Sequence, residues 1–158
     1  MVSNPYANYL GEQDARVVLA ATPGLLHQAV CALTPEQIAA PIGPGKWNPR
    51  EIVAHLADCE LAFSFRLRQV LAESEPDLQP FDQTAWATRY ANYDLVAALE
   101  LFRTARGWNI KLIGGLSEAD FARPATHRER GKITFQTILE TMAGHDLNHL
   151  AQVQGVAD

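Results

Sequence analysis

Residues 46–60, KWNPREIVAHLADCE, predict the start of a long helix, and the rest of the fold can be worked out from it. Asn48 is a preferred N-cap residue, and Pro49 suits the first helical position. Glu51 stands three residues after the cap, where its carboxylate can accept a hydrogen bond from the N–H of the cap. Apolar side chains then recur at helical spacing at Ile52, Leu56, Cys59, Phe63, Leu67 and Val70. We therefore expect a helix from Asn48 to about Glu73 with one buried face.

Three more main helices are expected from the same kind of pattern. They cover residues 12–33, 94–114 and 134–153. The first of them is interrupted by Thr22 and Pro23, so that either a new helix starts at Thr22 or one helix kinks there. Thr134 is the expected N-cap of the last helix.

The segments between these helices contain little that predicts β-structure. Runs of β-branched residues with a period of two are absent. Residues 75–83 form a long connection followed by a short helix at TAWATRY (84–90), and residues 116–133 are expected to be a loop. The prediction is an all-α four-helix bundle that forms a single domain over residues 1–158. The long connection, with its extra short helix, lets the second and third main helices run parallel, which gives an up-down-down-up topology.

Charge and hydropathy exclude two classes of partner. The chain carries 13 Lys and Arg against 18 Asp and Glu, whereas binding to nucleic acid requires clustered positive charge. The basic segment 123–132 is interrupted by Glu129 and is expected to be a solvated loop. No apolar run approaches the roughly 18–20 residues that span a bilayer, and residues 1–16 lack the pattern of a signal peptide. We expect a cytoplasmic protein with no nucleic-acid or membrane partner.

Two cysteines, Cys31 and Cys59, occupy apolar helix faces and lack a metal-binding spacing such as CxxC. A free cysteine on such a face behaves as a small hydrophobe. We expect both thiols to be reduced and buried, as is usual in a reducing compartment, and a disulfide between them is the alternative. Neither cysteine is then placed to act as a nucleophile.

Two histidines share the face of the last helix that is expected to line the core. His145 and His149 are one helical turn apart in GHDLNHLAQV (144–153). At 100° per residue, they lie in one quadrant with Phe135, Ile138, Met142 and Val153. His55, on the flank of the stripe that follows Asn48, can point into the same core. Because a buried imidazole must hydrogen-bond its nitrogens or bind something, these three histidines either hold a metal ion or are core residues satisfied by their neighbours.

The other two histidines have no partner motif. His27 is expected to be a structural or surface residue of the first helix. His127 lies in the polar segment THRERGK (126–132), where it can cap the following helix or line a pocket, although an ordinary surface position is the commoner outcome.

Two charged side chains are candidates for roles beside a metal centre. Asp58, three residues after His55, can accept a hydrogen bond from its ring, serve as a weak fourth ligand, or be a surface carboxylate. Arg106 and Asn109 interrupt the buried stripe of the third helix. Arg106 can bind an anionic group of a substrate, and the alternative is a salt bridge inside the bundle to Asp58 or Asp146.

At this point the sequence resembles a known family, the DinB-like superfamily. GKWNPREIVAHLADCE (45–60) resembles its signature of a Gly-Lys-Trp stretch, a capped helix and His-Leu-x-Asp-x-Glu, and GHDLNHLAQV resembles its closing H-x-x-x-H helix. EPDLQPFDQTAWA (75–87) and THRERGKITF (126–135) are similar to the subgroup typified by bacillithiol transferases and described as candidate metal-dependent hydrolases. The resemblance extends over about residues 25–153.

The resemblance implies a DinB-type bundle with an open divalent-metal site. By position in the motifs, the ligands carry over to His55, His145 and His149. Family members commonly form homodimers and bind nickel or zinc. The bacillithiol-transferase subgroup has further histidines beside these ligands, where this chain has Ala54 and Asn148.

The resemblance also implies a reaction. Several relatives are S-transferases that use a low-molecular-weight thiol, so we expect a thiol and an electrophile as substrates, with Asp58 and Arg106 as supporting or substrate-binding groups. Hydrolysis by a metal-activated water is the related alternative. A metal-binding stress-response protein without catalysis, and a helical domain without metal, are the alternatives from other classes.

Overall fold

The computed structural model describes residues 4–156. In chain order its helices are α1 (Ala7–Leu10), α2 (Ala15–Cys31), α3 (Pro35–Ala39), α4 (Pro49–Ala72), α5 (Gln83–Ala87), α6 (Leu95–Gly114), α7 (Glu118–Phe121) and α8 (Phe135–Gln154). The strands are β1 (Asp77–Leu78), β2 (Pro124–His127) and β3 (Gly131–Thr134), and one turn of 3-10 helix covers Tyr90–Asn92. Residues 1–3 and 157–158 lie outside the described range. They are the two ends of the predicted domain, and residues 1–3 also begin the segment considered for a signal peptide. Within the described range, no helix has the length and apolar character needed to cross a membrane.

Hydrogen bonds at the start of α4 confirm the predicted cap. The Asn48 side chain accepts from the N–H of Glu51 at 2.8 Å, and the Glu51 carboxylate accepts from the N–H of Asn48 at 3.0 Å. The same reciprocal pattern is made by Thr134 and Thr137 at the start of α8. Both helices that carry the predicted histidines therefore begin where their local sequence places them.

Two apolar clusters define the directions of the four long helices. One cluster takes residues from the first halves of α2 and α8 and the second halves of α4 and α6, including Leu19, Met142, Leu67 and Ile113. The other takes the opposite halves, including Leu26, Leu150, Leu56 and Phe102. Helices α2 and α8 therefore run one way and α4 and α6 run the other way. This is the predicted all-α bundle with up-down-down-up order.

Helix α2 passes through Pro23 without ending. It begins after Asp14, whose carboxylate accepts from the N–H of Arg16 at 2.8 Å, and it continues to Cys31. The start at Thr22 that the sequence leaves open does not occur. Because proline has no N–H, the carbonyl of Leu19, four residues before Pro23, has no helical donor.

Three short strands form where the sequence predicts none, one in the connection 75–83 and two in the predicted loop. Strands β2 and β3 pair antiparallel, with Ala125 opposite Ile133, and β1 joins β2 in parallel, with Leu78 opposite His127. The expectation of a loop over 116–133 is wrong for α7 and for this hairpin, and the expectation of a solvated loop over 123–132 is wrong for β2, in which Ala125 and His127 are buried. Each strand is at most four residues long, which is too short for an alternating pattern to be visible, and the pairing with β1 joins segments far apart in sequence.

A buried charge network joins the four long helices between the two apolar clusters. Arg106 of α6 is 1% exposed. Its guanidinium donates two hydrogen bonds to Glu60 of α4, at 3.0 and 2.7 Å, and one to Asp146 of α8 at 2.6 Å. A further N–H donates to the carbonyl of Leu19 in α2 at 3.2 Å, which is the carbonyl freed by Pro23.

We predict that Arg106→Met lowers the free energy of unfolding of the chelator-treated protein by about 3–5 kcal/mol, because two buried carboxylates lose their counter-charge. Urea denaturation followed by circular dichroism measures this. Arg103→Met is the matched control, since Arg103 lies one turn earlier on α6 in an exposed ion pair with Glu100. Equal losses in the two variants would contradict the role given to Arg106.

Candidate metal centre

Three buried histidines meet inside the bundle, one from α4 and two from α8. The centroids of the His55, His145 and His149 rings are 4.5 to 5.1 Å apart. All three side chains are at least nine-tenths buried. The structure thus brings together the three residues that the sequence nominates as metal ligands.

The closest approach within this cluster is between two ring nitrogens. His55 Nε2 lies 3.0 Å from His145 Nε2. Metal–nitrogen bonds of roughly 2.0–2.1 Å in a tetrahedral site hold two ligand nitrogens about 3.3 Å apart. The spacing of these two nitrogens therefore fits a shared divalent ion after a shift of a few tenths of an ångström.

The outer nitrogens of two rings are engaged by neighbouring side chains. His149 Nδ1 lies 3.0 Å from Gln152 Oε1, and an amide oxygen only accepts, so Nδ1 carries the proton and Nε2 keeps its lone pair. His55 Nδ1 lies 3.2 Å from the hydroxyl of Tyr90, which can accept in the same way. Such outer partners commonly orient histidines that ligate metals.

Burial keeps the histidines neutral. It lowers the pKa of His55 to about 3, with His149 adding to the effect. Burial also lowers the pKa of His145 well below its ordinary value, helped by the other two rings, and lowers that of His149. At neutral pH all three present the uncharged form that binds a metal ion.

Cys59 borders the same cluster, which the sequence pattern did not predict. Its sulfur lies 3.5 Å from His55 Nε2, and one ligand atom from each of His55, Cys59 and His145 lies within 4.8 Å of the other two. Among the described residues, His149 does not belong to a group that meets this distance limit. Burial raises the pKa of the Cys59 thiol, so the sulfur is protonated without a metal. The available signal was spacing, since Cys59 stands one turn after His55.

The second cysteine is a surface residue. Cys31 is exposed, so the prediction that both thiols are buried is wrong for it. It occupies the last position of α2, where its sulfur lies 3.8 Å from the ring nitrogens of the exposed His27. Both cysteines are free thiols, as expected.

Asp58 does not form the hydrogen bond to the His55 ring that the sequence analysis considered. In the part of the chain that the structure describes, the ring of His55 has Tyr90 rather than Asp58 as its outer partner. Asp58 is half-buried and lines a groove with Leu61, Tyr93 and Leu101. Burial raises the pKa of its carboxyl.

Arg106 forms the salt bridge that the sequence analysis gave as an alternative to substrate binding. Its bond goes to Asp146, the residue after His145, and to Glu60, the residue after Cys59, whereas no salt bridge to Asp58 occurs within residues 4–156. Asn109 joins the network through a 2.7 Å bond from its amide to Glu60. The network therefore abuts the metal cluster.

Aromatic side chains enclose the rings. Trp47 packs at 4.8 Å from His55 and stacks on His149, and Tyr6 meets His145 edge-on at 5.1 Å between centroids. Tyr6 can approach because α8 has Gly144 there. A Cβ at Gly144 would overlap the carbonyl oxygen of Tyr6 and lie 2.8 Å from its Cβ. The N-terminal segment thus closes one side of the cluster.

We predict that the chelator-treated protein loses stability as the pH falls below about 6.5. The unfolded chain binds protons on these histidines first, because their folded-state pKa values are lowered, to about 3 for His55. Each histidine contributes a slope of up to about 1.4 kcal/mol per pH unit. Urea denaturation at several pH values should show a smaller slope in His55→Gln and an unchanged one in the exposed control His27→Gln. An unchanged slope in His55→Gln would count against this prediction.

Comparison with known proteins gives close matches over most of the chain. The DinB superfamily model matches residues 19–153. A candidate metal-dependent hydrolase of Oceanobacillus iheyensis is 30% identical over 132 residues, which cover 83% of this chain and 77% of that protein. YfiT of Bacillus subtilis, also named as a candidate metal-dependent hydrolase, is 30% identical over 139 residues, which cover 86% of this chain and 78% of YfiT.

The solved structure of YfiT has the same fold. It matches with a TM-score of 0.84 and 28% sequence identity, covering 90% of this chain and 83% of that structure. YfiT is described as a four-helix bundle of unusual topology. The family match, the similar relatives and the shared fold agree, and the chain belongs to the DinB superfamily.

Proposed function

We propose that His55, His145 and His149 hold one divalent metal ion, nickel or zinc, with at least one coordination position open for a substrate. The observation that carries this proposal is the convergence of three neutral imidazoles from two helices. Two of the rings, those of His55 and His149, have Nδ1 beside a hydrogen-bond acceptor, which leaves their Nε2 lone pairs free to bind a metal. The relatives named as candidate metal-dependent hydrolases support it.

The proposed reaction is S-transfer from a low-molecular-weight thiol to an electrophile. A divalent ion held by neutral ligands would lower the pKa of a bound thiol and present it as the thiolate. The sulfur attacks the electrophilic carbon, and the S–C bond forms as the bond to the leaving group breaks. The leaving group departs with the electron pair, and the thiol proton passes to solvent.

The chain's own thiols support a nucleophile supplied by the substrate. Cys59 is buried, and burial raises the pKa of its thiol. Cys31 lies at the exposed end of α2, whereas the metal cluster lies in the core of α4 and α8. Arg106 acts in this proposal as a positioning residue, because it binds the carboxylate next to His145.

Hydrolysis is the second candidate for the same site. The relatives named as candidate metal-dependent hydrolases favour it, and an ion with an open position can activate water. A metal-binding protein without catalysis would have the same ligands. Activity assays, rather than the geometry of the cluster, therefore distinguish S-transfer, hydrolysis and metal binding without catalysis.

We predict that His55→Ala, His145→Ala and His149→Ala each weaken zinc or nickel binding by about tenfold or more, because each removes one of three ligands. Calorimetric titration of the chelator-treated protein measures the affinity and stoichiometry. Asp58→Asn and His27→Ala are the controls with unchanged metal binding, since neither residue belongs to the cluster.

Cys59→Ala decides between the two possible ligand sets. With three imidazole ligands, the variant keeps the wild-type affinity. If Cys59→Ala loses the metal and His149→Ala retains it, the ligands are His55, Cys59 and His145, and the proposed set is wrong.

We expect metal-loaded protein to accelerate the conjugation of monochlorobimane with at least one of bacillithiol, mycothiol, glutathione and cysteine. The assay uses the Cys31→Ser background, because the exposed Cys31 would itself react with the probe. His149→Ala in the same background should fall to the uncatalysed rate. Turnover of a p-nitrophenyl ester without thiol conjugation would favour the hydrolase, and stoichiometric metal with neither activity would favour the non-catalytic protein.

The homodimer expected from the resemblance stays a prediction. Analytical ultracentrifugation, which measures the mass of the particle in solution, tests it.

A further inference from the structure

A polar pocket lies beside the metal cluster. Its volume is about 740 Å³, and it opens where the N-terminal segment, the connection after β1 and the β2–β3 hairpin meet. Three basic side chains line it, namely Arg66, His127 and Arg130. The segment 123–132, predicted as a solvated loop, supplies two of them.

Arg66 is a buried cation whose hydrogen bond goes to a backbone carbonyl. Its side chain is 7% exposed, and its guanidinium lies over the rings of Phe63 and Phe81 at 5.8 and 5.5 Å from their centroids. It donates to the carbonyl of Gln79 at 2.6 Å. Within the described range of the chain, no carboxylate forms a salt bridge with Arg66. A buried guanidinium is costly unless a counter-charge pairs with it.

Two more basic groups face the same space. Burial lowers the pKa of Arg66, and the charge of Arg130 lowers it further. The pKa of His127, which is 3% exposed, is lowered by burial and then by both arginines. The two guanidinium charges repel each other, and an anion bound between them would remove this repulsion.

The acidic side chains of the pocket only partly offset the charge of the arginines, since the charge of Glu129 raises the pKa of Arg66 less than burial and Arg130 lower it. Asp82 is exposed and caps α5 by accepting from the N–H of Ala85 at 2.9 Å. Glu129 is also exposed. Neither carboxylate makes a salt bridge to Arg66 or Arg130 among the residues described.

The pocket and the metal cluster lie on opposite sides of the same aromatic side chains. Tyr6 lines the pocket and meets the ring of His145 edge-on. Phe63 lies under the guanidinium of Arg66, and its ring centroid is 6.4 Å from that of His145. A small molecule bound in the pocket is therefore one side chain, Tyr6, away from the ring of His145.

We propose that this pocket binds an oxyanion group of the substrate, a carboxylate or a phosphate, through Arg66 and Arg130, while the reacting end of the substrate reaches the metal centre past Tyr6. The proposal rests on the proposed function and adds the class of substrate to it. Guanidinium groups bind both oxyanions through paired N–H donors, and the bond is strengthened by the charge.

The test is a calorimetric titration of the chelator-treated protein with inorganic phosphate and, separately, with succinate. Without metal, any binding reports on the pocket rather than on coordination, and the preferred anion distinguishes the two sources. We expect one of the anions to bind wild type, and Arg66→Gln and Arg130→Gln to weaken that binding by about tenfold or more. Arg128→Gln is the matched control, since Arg128 is an exposed residue of the same hairpin turn that does not line the pocket.

Two outcomes would overturn the proposal: no binding of either anion to wild type, or an equal loss in Arg128→Gln and Arg130→Gln. Arg130 is half-buried, so its variant remains informative even if the buried Arg66 cannot be replaced. His145→Ala separates this proposal from the proposed function. It should lose the metal and keep the anion. If Arg130→Gln loses anion binding and keeps full metal content, the proposed pocket is supported. If the wild-type protein binds an anion but no metal, the proposed metal centre is wrong and the proposed pocket still stands.

Discussion

One buried guanidinium sets the relative heights of the four long helices. Arg106 reaches Glu60 on α4 and Asp146 on α8. It also reaches the Leu19 carbonyl on α2, which is free to accept because Pro23 has no N–H. A desolvated charge tolerates little misplacement, since each lost partner leaves a buried charge uncompensated. A sliding movement of any of these helices would break at least one of these bonds.

The same constraint places the metal cluster. His145 directly precedes Asp146, and Cys59 directly precedes Glu60. Neighbouring residues on a helix point about 100° apart, so when the carboxylates face Arg106, the histidine and the cysteine face the adjacent space between α4 and α8. The charge network and the cluster of imidazoles are therefore two sides of one packing arrangement, and a change in one moves the other.

Part of the site could be predicted from the sequence because helices are local structures. The spacing of His145 and His149 and the cap at Asn48 place the histidines on core-facing stripes without knowledge of any distant contact. The hydroxyl of Tyr90 and the guanidinium of Arg66 were not predictable in this way. Tyr90 lies in the connection after α4, which has no helical period. Arg66 lies on α4, but the pocket that it lines is completed by segments far away in the chain.

The sequence by itself determined where α4, α6 and α8 begin and end, which of their faces are buried and which histidines share a face. These properties follow from capping hydrogen bonds and from the 3.6-residue period, which involve residues within a few positions of each other. The tertiary structure alone decided that Cys59 borders the cluster, that Arg106 pairs with Glu60 and Asp146, and that residues 124–134 form a hairpin beside the N-terminal segment. Those outcomes depend on how helices pack and strands pair across long sequence separations, where burial requires each polar group to find a partner.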